Sequence, residues 1–448
     1  MIKEAFSNLS ERIIPTTGKG VFRLSFVLCF SVCFFIILVI APLTGVSKYF
    51  GAGHDGYIQL AENLGRGNGY VFEKGGPPAF HRPPFYPLLL VPVTFLPATM
   101  QRPALVLIQS IMVGFIAALI FRIAKHFFGL LTAQAAVLIF LLNPWVYWNA
   151  KNPMTVILQG LLYTLFAVLT GREFLIAIGR YNISTGKTKF SLNWLGIGIT
   201  AAALALTHAT MLAVTIVSLL ILLIVAVTSR NNQLIKTSIT AAITMAILIA
   251  PWTYRNWVVF HRFIPIAGGG GLAYLNGNVH WKGVMPQHKG ESYIDAGLRA
   301  AGIEGTEESH THWKGLKDIR LEDKVNAKIM EDLRQYPGAF VRKLLLNAVE
   351  YYFPALTYHF LAAKHLSAEN FATTVFNMAL WTLALVGIWR CKKNKILLPA
   401  GLILTAIWLY AIWFFPFATF IGHSLYTFAT MPFLSMLAAK GLTSTGNS

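Results

Sequence analysis

Acidic side chains are scarce in this chain. Its 448 residues include 18 Asp or Glu against 37 Lys or Arg. Between Arg12 and Lys289 the only acids are Asp55, Glu62, Glu73 and Glu173. That leaves few positions for a catalytic carboxylate or a carboxylate-bound metal. Cysteine is equally sparse. Cys29 and Cys33 are i,i+4 neighbours on one helix face, and Cys391 sits in a basic stretch. No expected exterior loop carries a cysteine, so no structural disulfide is expected. Internal repeats are missing, and low complexity is confined to Gly268–Gly271. A transporter assembled from repeated halves would show such repeats.

What the chain has is apolar sequence. Hydrophobic residues make up 55%, only 12% are charged, and the mean hydropathy is +0.58. This is a membrane-protein composition. A bilayer core of about 30 Å asks for roughly 20 apolar residues per helix. The pattern predicts an all-α polytopic membrane protein of about ten transmembrane helices, near 24–44, 104–125, 130–148, 154–172, 192–210, 211–228, 235–252, 371–390, 396–415 and 421–440. The pair 192–210 and 211–228 can also be read as one long helix. A single span there would put Lys392, Lys393 and Lys395 on the opposite side from the other basic loops, so a tight pair is preferred. The first apolar segment is longer than a 7–15-residue signal h-region and has no small-x-small cleavage site, so it reads as an uncleaved helix.

The net charge of +19 does not point to nucleic acid, because the basic residues cluster in short connections between spans. Arg122 and Lys125, then Arg172 to Lys189, then Arg230 and Lys236, then Arg390 to Lys395 fall in alternate loops. By the positive-inside rule those loops and both termini are cytoplasmic. Three regions follow. Residues 1–252 form an N-terminal transmembrane module with an exterior loop at 45–103. Residues 253–370 form an exterior region holding most of the acid. Residues 371–448 hold the C-terminal helices. Within the exterior loop, Phe85 to Leu96 is apolar but broken by Pro87 and Pro92, so it reads as interfacial or re-entrant. In the second region 316–335 reads as an amphipathic helix stopped by Pro337, followed by an interfacial stretch from Phe340 to Phe353. These exterior loops, with their interfacial helices and a small soluble region, would face the periplasm of a bacterial inner membrane.

Chemistry-bearing residues concentrate in loop 53–87. The loop reads His54-Asp55-Gly56-Tyr57, then Ala61, then Gly65-Arg66-Gly67-Asn68-Gly69-Tyr70, then His81-Arg82-Pro83-Pro84-Phe85-Tyr86-Pro87. Asp55 is an acid at the water–lipid boundary, where a membrane enzyme needs one to activate a hydroxyl. A second block, Pro251-Trp252-Thr253-Tyr254-Arg255-Asn256-Trp257, leads to Phe263-Ile264-Pro265 and the glycine run. A third runs from Met431-Pro432 to Lys440-Gly441-Leu442.

Taken in order, these blocks resemble the GT-C superfamily of membrane glycosyltransferases. More narrowly, they resemble bacterial relatives of the protein O-mannosyltransferases and the lipid A aminoarabinose transferases. The likeness spans nearly the whole chain. It implies a polyprenyl-phosphate-linked sugar as donor, a hydroxyl acceptor (a cell-surface glycan, lipid or protein) and inverting transfer of a hexosyl or pentosyl group. Asp55 falls at the family's catalytic base, or at a ligand of a divalent metal together with His54. Arg82 falls at its donor-phosphate residue. Apart from the resemblance, Arg255 and Lys151 are further candidate phosphate contacts. His54, Tyr57, His81, Tyr86 and Tyr426 are candidate substrate-binding residues. The chain departs from the family at Asn143-Pro144-Trp145 to Thr155, where many members carry a second acid and this chain has Lys151. Near the last helix Leu425-Tyr426 stands where many relatives have Arg-Tyr.

Plainer readings stand beside these. Asp before Gly makes a good helix N-cap or turn. Arg82 can snorkel to headgroups, and an Arg after Trp at a helix end is a common interfacial anchor. His208 reads as a satisfied core histidine unless 192–228 is a hairpin, which would bring it to the exterior tip. The histidines at 280, 288, 310 and 312 lack metal-ligand spacing. Glu62 and Glu73 read as solvated. A lipid-linked sugar flippase and a polyprenyl-diphosphate glycan ligase or polymerase are the alternative functions.

Overall fold

A computed structural model describes residues 9–40, 56–179, 193–270, 319–353, 368–394, 396–413 and 427–443. The described chain is helical, and its one β-bridge joins Val71 to Pro78. Helix α1 spans Gly18–Phe35 and continues through a π turn at Ile36–Ile40; Thr17 caps it by accepting from the Gly20 amide. Two short helices follow, α2 at Tyr57–Gly65 and α3 at Phe85–Thr94. Next come α4 at Ala98–Phe128, α5 at Leu130–Leu142, α6 at Pro144–Lys151 and α7 at Val156–Ala177. Helices α8 at Asn193–Thr207, α9 at Met211–Thr228 and α10 at Asn232–Phe260 complete the N-terminal part. Then come α11 at Ile319–Gln335 and α12 at Pro337–Tyr352. The last three are α13 at Ala368–Lys393, α14 at Leu397–Ala411 and α15 at Met431–Leu442.

Six described helices are long and apolar enough to cross a membrane, or seven if the bent pair α5–α6 counts as one span. This is a multi-pass membrane protein. The segments expected at 192–210, 396–415 and 421–440 appear as shorter apolar helices. At 1.5 Å per residue, the 15 residues of α8 or α14 reach about 22 Å, short of a full hydrocarbon core. The segment expected at 130–148 is bent by 56°. The cause is local: Pro144 sits at the first position of α6, and Asn143 turns its side chain to accept from the Trp145 amide at 3.0 Å. The tight pair at 192–228 is present as α8 and α9. Helix α10 runs past residue 252 to Phe260, so the second motif block is helical. Pro337 both ends α11 and opens α12, a position that suits its missing N–H. An ion pair between Arg262 and Asp323 ties α11 to the end of α10.

Helix α4 lies at the centre, packed on α1 and α5, and α15 lies between α5 and α13. The α13–α15 crossing is very close. A Cβ at Gly387 would fall 2.0 Å from the Leu437 carbonyl oxygen, and one at Gly441 2.0 Å from that of Leu383. Only glycine at both positions lets the backbones approach this far, the usual device where lipid offers no hydrophobic drive to association. A second group, α8, α9 and α10, packs around Ile197, Ala201, Ala241 and Met245, and α8 also touches α3.

Candidate active site

The loop from Gly56 to Pro84 folds around one side chain, Asn63. Its amide nitrogen lies within hydrogen-bonding distance of the carbonyls of Gln59 (3.1 Å), Val71 (3.0 Å) and Phe72 (3.0 Å), and its oxygen accepts from Asn68 at 3.0 Å. Asn63 therefore fixes the Gly-rich turn to α2. The turn closes through the Val71–Pro78 bridge and the Ala79 amide donating to the Tyr70 carbonyl at 2.8 Å. Gly56 enters α2 with φ +76, and a Cβ there would fall 2.4 Å from the Phe72 ring. Left-handed backbone and a ring in place of the side chain together demand glycine.

The tyrosines and Arg82 follow from this frame. Tyr70 is buried and its hydroxyl lies 3.0 Å from the carbonyls of both Arg82 and Pro83. Burial, and then Tyr57, push its phenol well up, against the opposing charges of Arg255 and Arg82, so it stays a neutral donor. Tyr57 meets Tyr86 edge-on, with centroids 5.3 Å apart, and the Arg82 guanidinium lies 5.2 Å from the centre of the Tyr57 ring. Tyr86 is buried, and its hydroxyl has no hydrogen-bond partner among the described residues. His81 stacks on Phe72 at 4.9 Å and meets Phe80 edge-on. Neither His81 ring nitrogen has a hydrogen-bond partner among the described residues. Burial, then the charge of Arg82, hold its imidazole well below the usual histidine range.

The second motif block meets this loop directly. Arg255 donates to the Ala79 carbonyl and to Asn256 Oδ1, each at 2.9 Å. Its guanidinium also lies near the rings of Trp252 (5.0 Å), Phe260 (5.1 Å) and Tyr70 (5.6 Å). Trp252 packs edge-on against Tyr70. The segment after α10 folds back on it: Trp252 donates to the Ile266 carbonyl, Thr253 to that of Pro265 and Asn256 to that of Ile264. The Gly268 amide then donates to the Phe80 carbonyl at 2.9 Å, so the start of the glycine run is part of the loop's support.

Two solved oligosaccharyltransferase structures from one archaeon share this architecture. The archaeal oligosaccharyltransferase AglB from Archaeoglobus fulgidus, in complex with an inhibitory peptide and a dolichol-phosphate, is 13% identical with a TM-score of 0.51, covering 94% of this chain and 50% of that one. The apo form of the oligosaccharyltransferase from the same organism gives 14%, 0.50, 94% and 50%. At these identities the likeness is one of fold. The chain spans about half the length of the archaeal enzyme it matches. ArnT from Cupriavidus metallidurans bound to undecaprenyl phosphate is 14% identical and covers 90% of this chain and 78% of that one, but superposes more loosely, with a TM-score of 0.36. No family model matches the sequence, and no curated protein matches it significantly.

On this scaffold the sequence-named residues that are described sit as follows. Tyr57, His81, Arg82, Tyr86 and Arg255 meet at the loop. Lys151 ends α6 and is buried, with its Nζ 3.7 Å from the centre of the Trp148 ring. It lines a cavity of about 400 Å³ together with residues of α1 to α4. Arg102, which sequence reasoning passed over, lines the same cavity. Its signal was faint: a cation in the first turns of a helix, where the macrodipole does not favour one. Asn63 and Phe72 were also missed. An Asn inside a short apolar helix was the available signal for the first.

His54, Asp55 and Tyr426 lie outside the described residues, as do the histidines at 280, 288, 310 and 312. Among the described residues no cluster of three His, Cys, Asp or Glu is placed to hold a metal. His208 sits at the turn between α8 and α9 and pairs with Thr210 at 2.8 Å. Glu173 is buried and accepts from Asn193 at 2.6 Å, a structural pairing. Glu73 is exposed and Glu62 half-buried.

Proposed function

We propose that this protein is a membrane glycosyltransferase that moves a sugar from a polyprenyl-phosphate carrier to a hydroxyl acceptor at the exterior face of a bacterial inner membrane. The observation that carries the reading is the junction of the two motif blocks. Arg82 and Arg255 are brought to one aromatic-lined loop that begins at the residue after Asp55. A guanidinium suits phosphate because its planar fork bonds two oxygens at once. Arg82 and Arg255 would hold the donor phosphate, with Lys151 as a further cation. Tyr57 and Tyr86 would border the sugar, with His81 behind them.

In the step itself the acceptor O–H gives its proton to the Asp55 carboxylate. The oxygen attacks the anomeric carbon, the carbon–oxygen bond to phosphate breaks, and polyprenyl phosphate leaves with the bonding electrons. Configuration inverts. The phosphate is a good leaving group, so a base and a cationic clamp are the main requirements. GT-C architecture and the dolichol-phosphate bound to the archaeal enzyme support a lipid-linked donor.

The test is a lipid-product assay on purified wild type and Asp55→Asn, with polyprenyl-phosphate sugars, a mixed acceptor extract, and chelator in one arm. Release of polyprenyl phosphate by wild type only is the expected result. Equal turnover by the mutant removes Asp55 from its role. No turnover by either protein overturns the transferase reading.

A further inference from the structure

Helix α12 lies deeper than its sequence suggests, and two contacts measure how deep. The Asn377 side chain of α13 donates to the Tyr352 carbonyl at 2.6 Å, and the Tyr352 ring meets Trp381 edge-on with centroids 5.1 Å apart. Helix α13 is long and apolar enough to cross a membrane, and its last turn carries Arg390, Lys392 and Lys393. Those cations mark one boundary of the hydrocarbon. At 1.5 Å per residue, Trp381 stands about 14 Å from Arg390 along the helix and Asn377 about 20 Å. In a hydrocarbon core of about 30 Å, Trp381 is then near the middle and Asn377 about 10 Å inside the opposite boundary. The C-terminal turn of α12 touches both, so it shares their depth.

The surface of α12 fits that depth. One side packs on the bundle through Leu344, Ala348, Tyr351 and Tyr352. On the other, Val341, Leu345 and Val349 recur at i, i+4 and i+8 and are exposed. A helix apolar on both sides belongs in a core or a membrane, and here protein covers only one side. The preceding helix differs: α11 exposes Asp323, Lys324 and Glu331, as a water-facing helix does. Pro337 turns the chain between the two. Arg342 is exposed near the start of α12, where its long stem can reach headgroups. Arg342, Lys343 and Glu350 interrupt the apolar run, which is why hydropathy alone passes over it.

We infer that α12 is a re-entrant helix that enters the bilayer near Pro337, ends about a third of the way across at Tyr352, and lays Val341, Leu345 and Val349 against lipid chains. Hydrocarbon is the occupant of that row, because α13 exposes its own apolar residues Val375 and Met378 at the same depth. A helix end sunk in hydrocarbon needs partners for its last carbonyls, and the Asn377 bond to Tyr352 supplies one from within the bundle. The inference holds whether or not the chain is a transferase.

Spin-label accessibility of the full-length protein in lipid nanodiscs tests this. Cys29, Cys33 and Cys391 are buried, so a label goes to an introduced cysteine. Leu345→Cys and Val349→Cys are read beside Met330→Cys on α11 as the water reference and Met378→Cys on α13 as the lipid reference, all at exposed positions. Oxygen concentrates in hydrocarbon, whereas a polar nickel chelate stays in water. The expected result is an oxygen-to-nickel collision ratio for both α12 labels about tenfold above that of Met330→Cys, because a polar chelate is excluded from hydrocarbon, with Val349→Cys close to Met378→Cys. Ratios for both α12 labels equal to that of Met330→Cys overturn the proposal. So does protection from both reagents, which would place a protein partner on the row. Either α12 label reports alone if the other variant does not fold. No turnover is involved, so the outcome is distinct from that of the sugar-transfer assay.

Discussion

Arg255 donates its Nη1 to the carbonyl of Ala79 at 2.9 Å, across 176 residues of sequence. The bond joins the loop after α1 to the end of α10. Around it Tyr70 and Trp252 meet edge-on, and the Gly268 amide donates to Phe80. Remove Arg255 and the loop loses its charged attachment to the helix bundle.

Substituting Arg255 therefore acts on architecture as well as on phosphate. Arg255→Lys keeps the charge but gives up the fork that reaches both Ala79 and Asn256. A hydrogen bond from a charged group contributes about 1.5–3 kcal/mol. We expect a lowered Tm in detergent for Arg255→Lys, a larger drop for Arg255→Gln, and a fall in sugar transfer for both. Thermal melting and the transfer assay check this. A lysine variant with wild-type Tm would show that the Ala79 bond is dispensable.

Gly56 offers a second test. Its φ of +76 and the Phe72 ring beside it both oppose a side chain. Gly56→Ala should destabilise by about 1–3 kcal/mol from backbone strain alone, and further through the contact with Phe72. Shortening that ring in Gly56→Ala/Phe72→Ala should restore part of the loss and leave the backbone share. Melting temperatures of the two variants give the answer, and the prediction fails if the single variant melts with wild type.

The third prediction concerns acid. His81 has its pKa held down by burial and by Arg82. An unfolded histidine, near pKa 6.5, binds a proton that the folded one refuses. Stability is therefore full above about pH 6.5 and falls as pH drops below it, by at most about 1.4 kcal/mol per pH unit, until the folded group itself titrates. His81→Phe keeps a ring against Phe72 and removes the titration. Its unfolding midpoint should change less between pH 7 and pH 5 than that of wild type. Parallel pH profiles would show that His81 does not control acid stability.

Much of the fold was legible in the sequence. Apolar runs and basic connections follow from the bilayer's thickness and charge asymmetry, and they located the helices, including the pair at α8 and α9. The bend at Asn143-Pro144 was visible as a motif but not as a break, because a capped proline within one long apolar run leaves the hydropathy continuous. The shortness of α8 and α14 was hidden for the same reason.

The candidate site divides along a similar line. The sequence by itself determined which residue types were available: few acids, a loop of glycines, prolines and tyrosines, and arginines in two distant blocks. Only the tertiary structure decided which of them meet. It brought Arg255 to Ala79 and Trp252 to Tyr70, made Asn63 the centre of the turn, and put Lys151 and Arg102 on the lining of one cavity. The physical reason is range. Periodicity and capping act over a few residues, whereas these contacts depend on how helices far apart in the chain pack, and no local pattern encodes that packing.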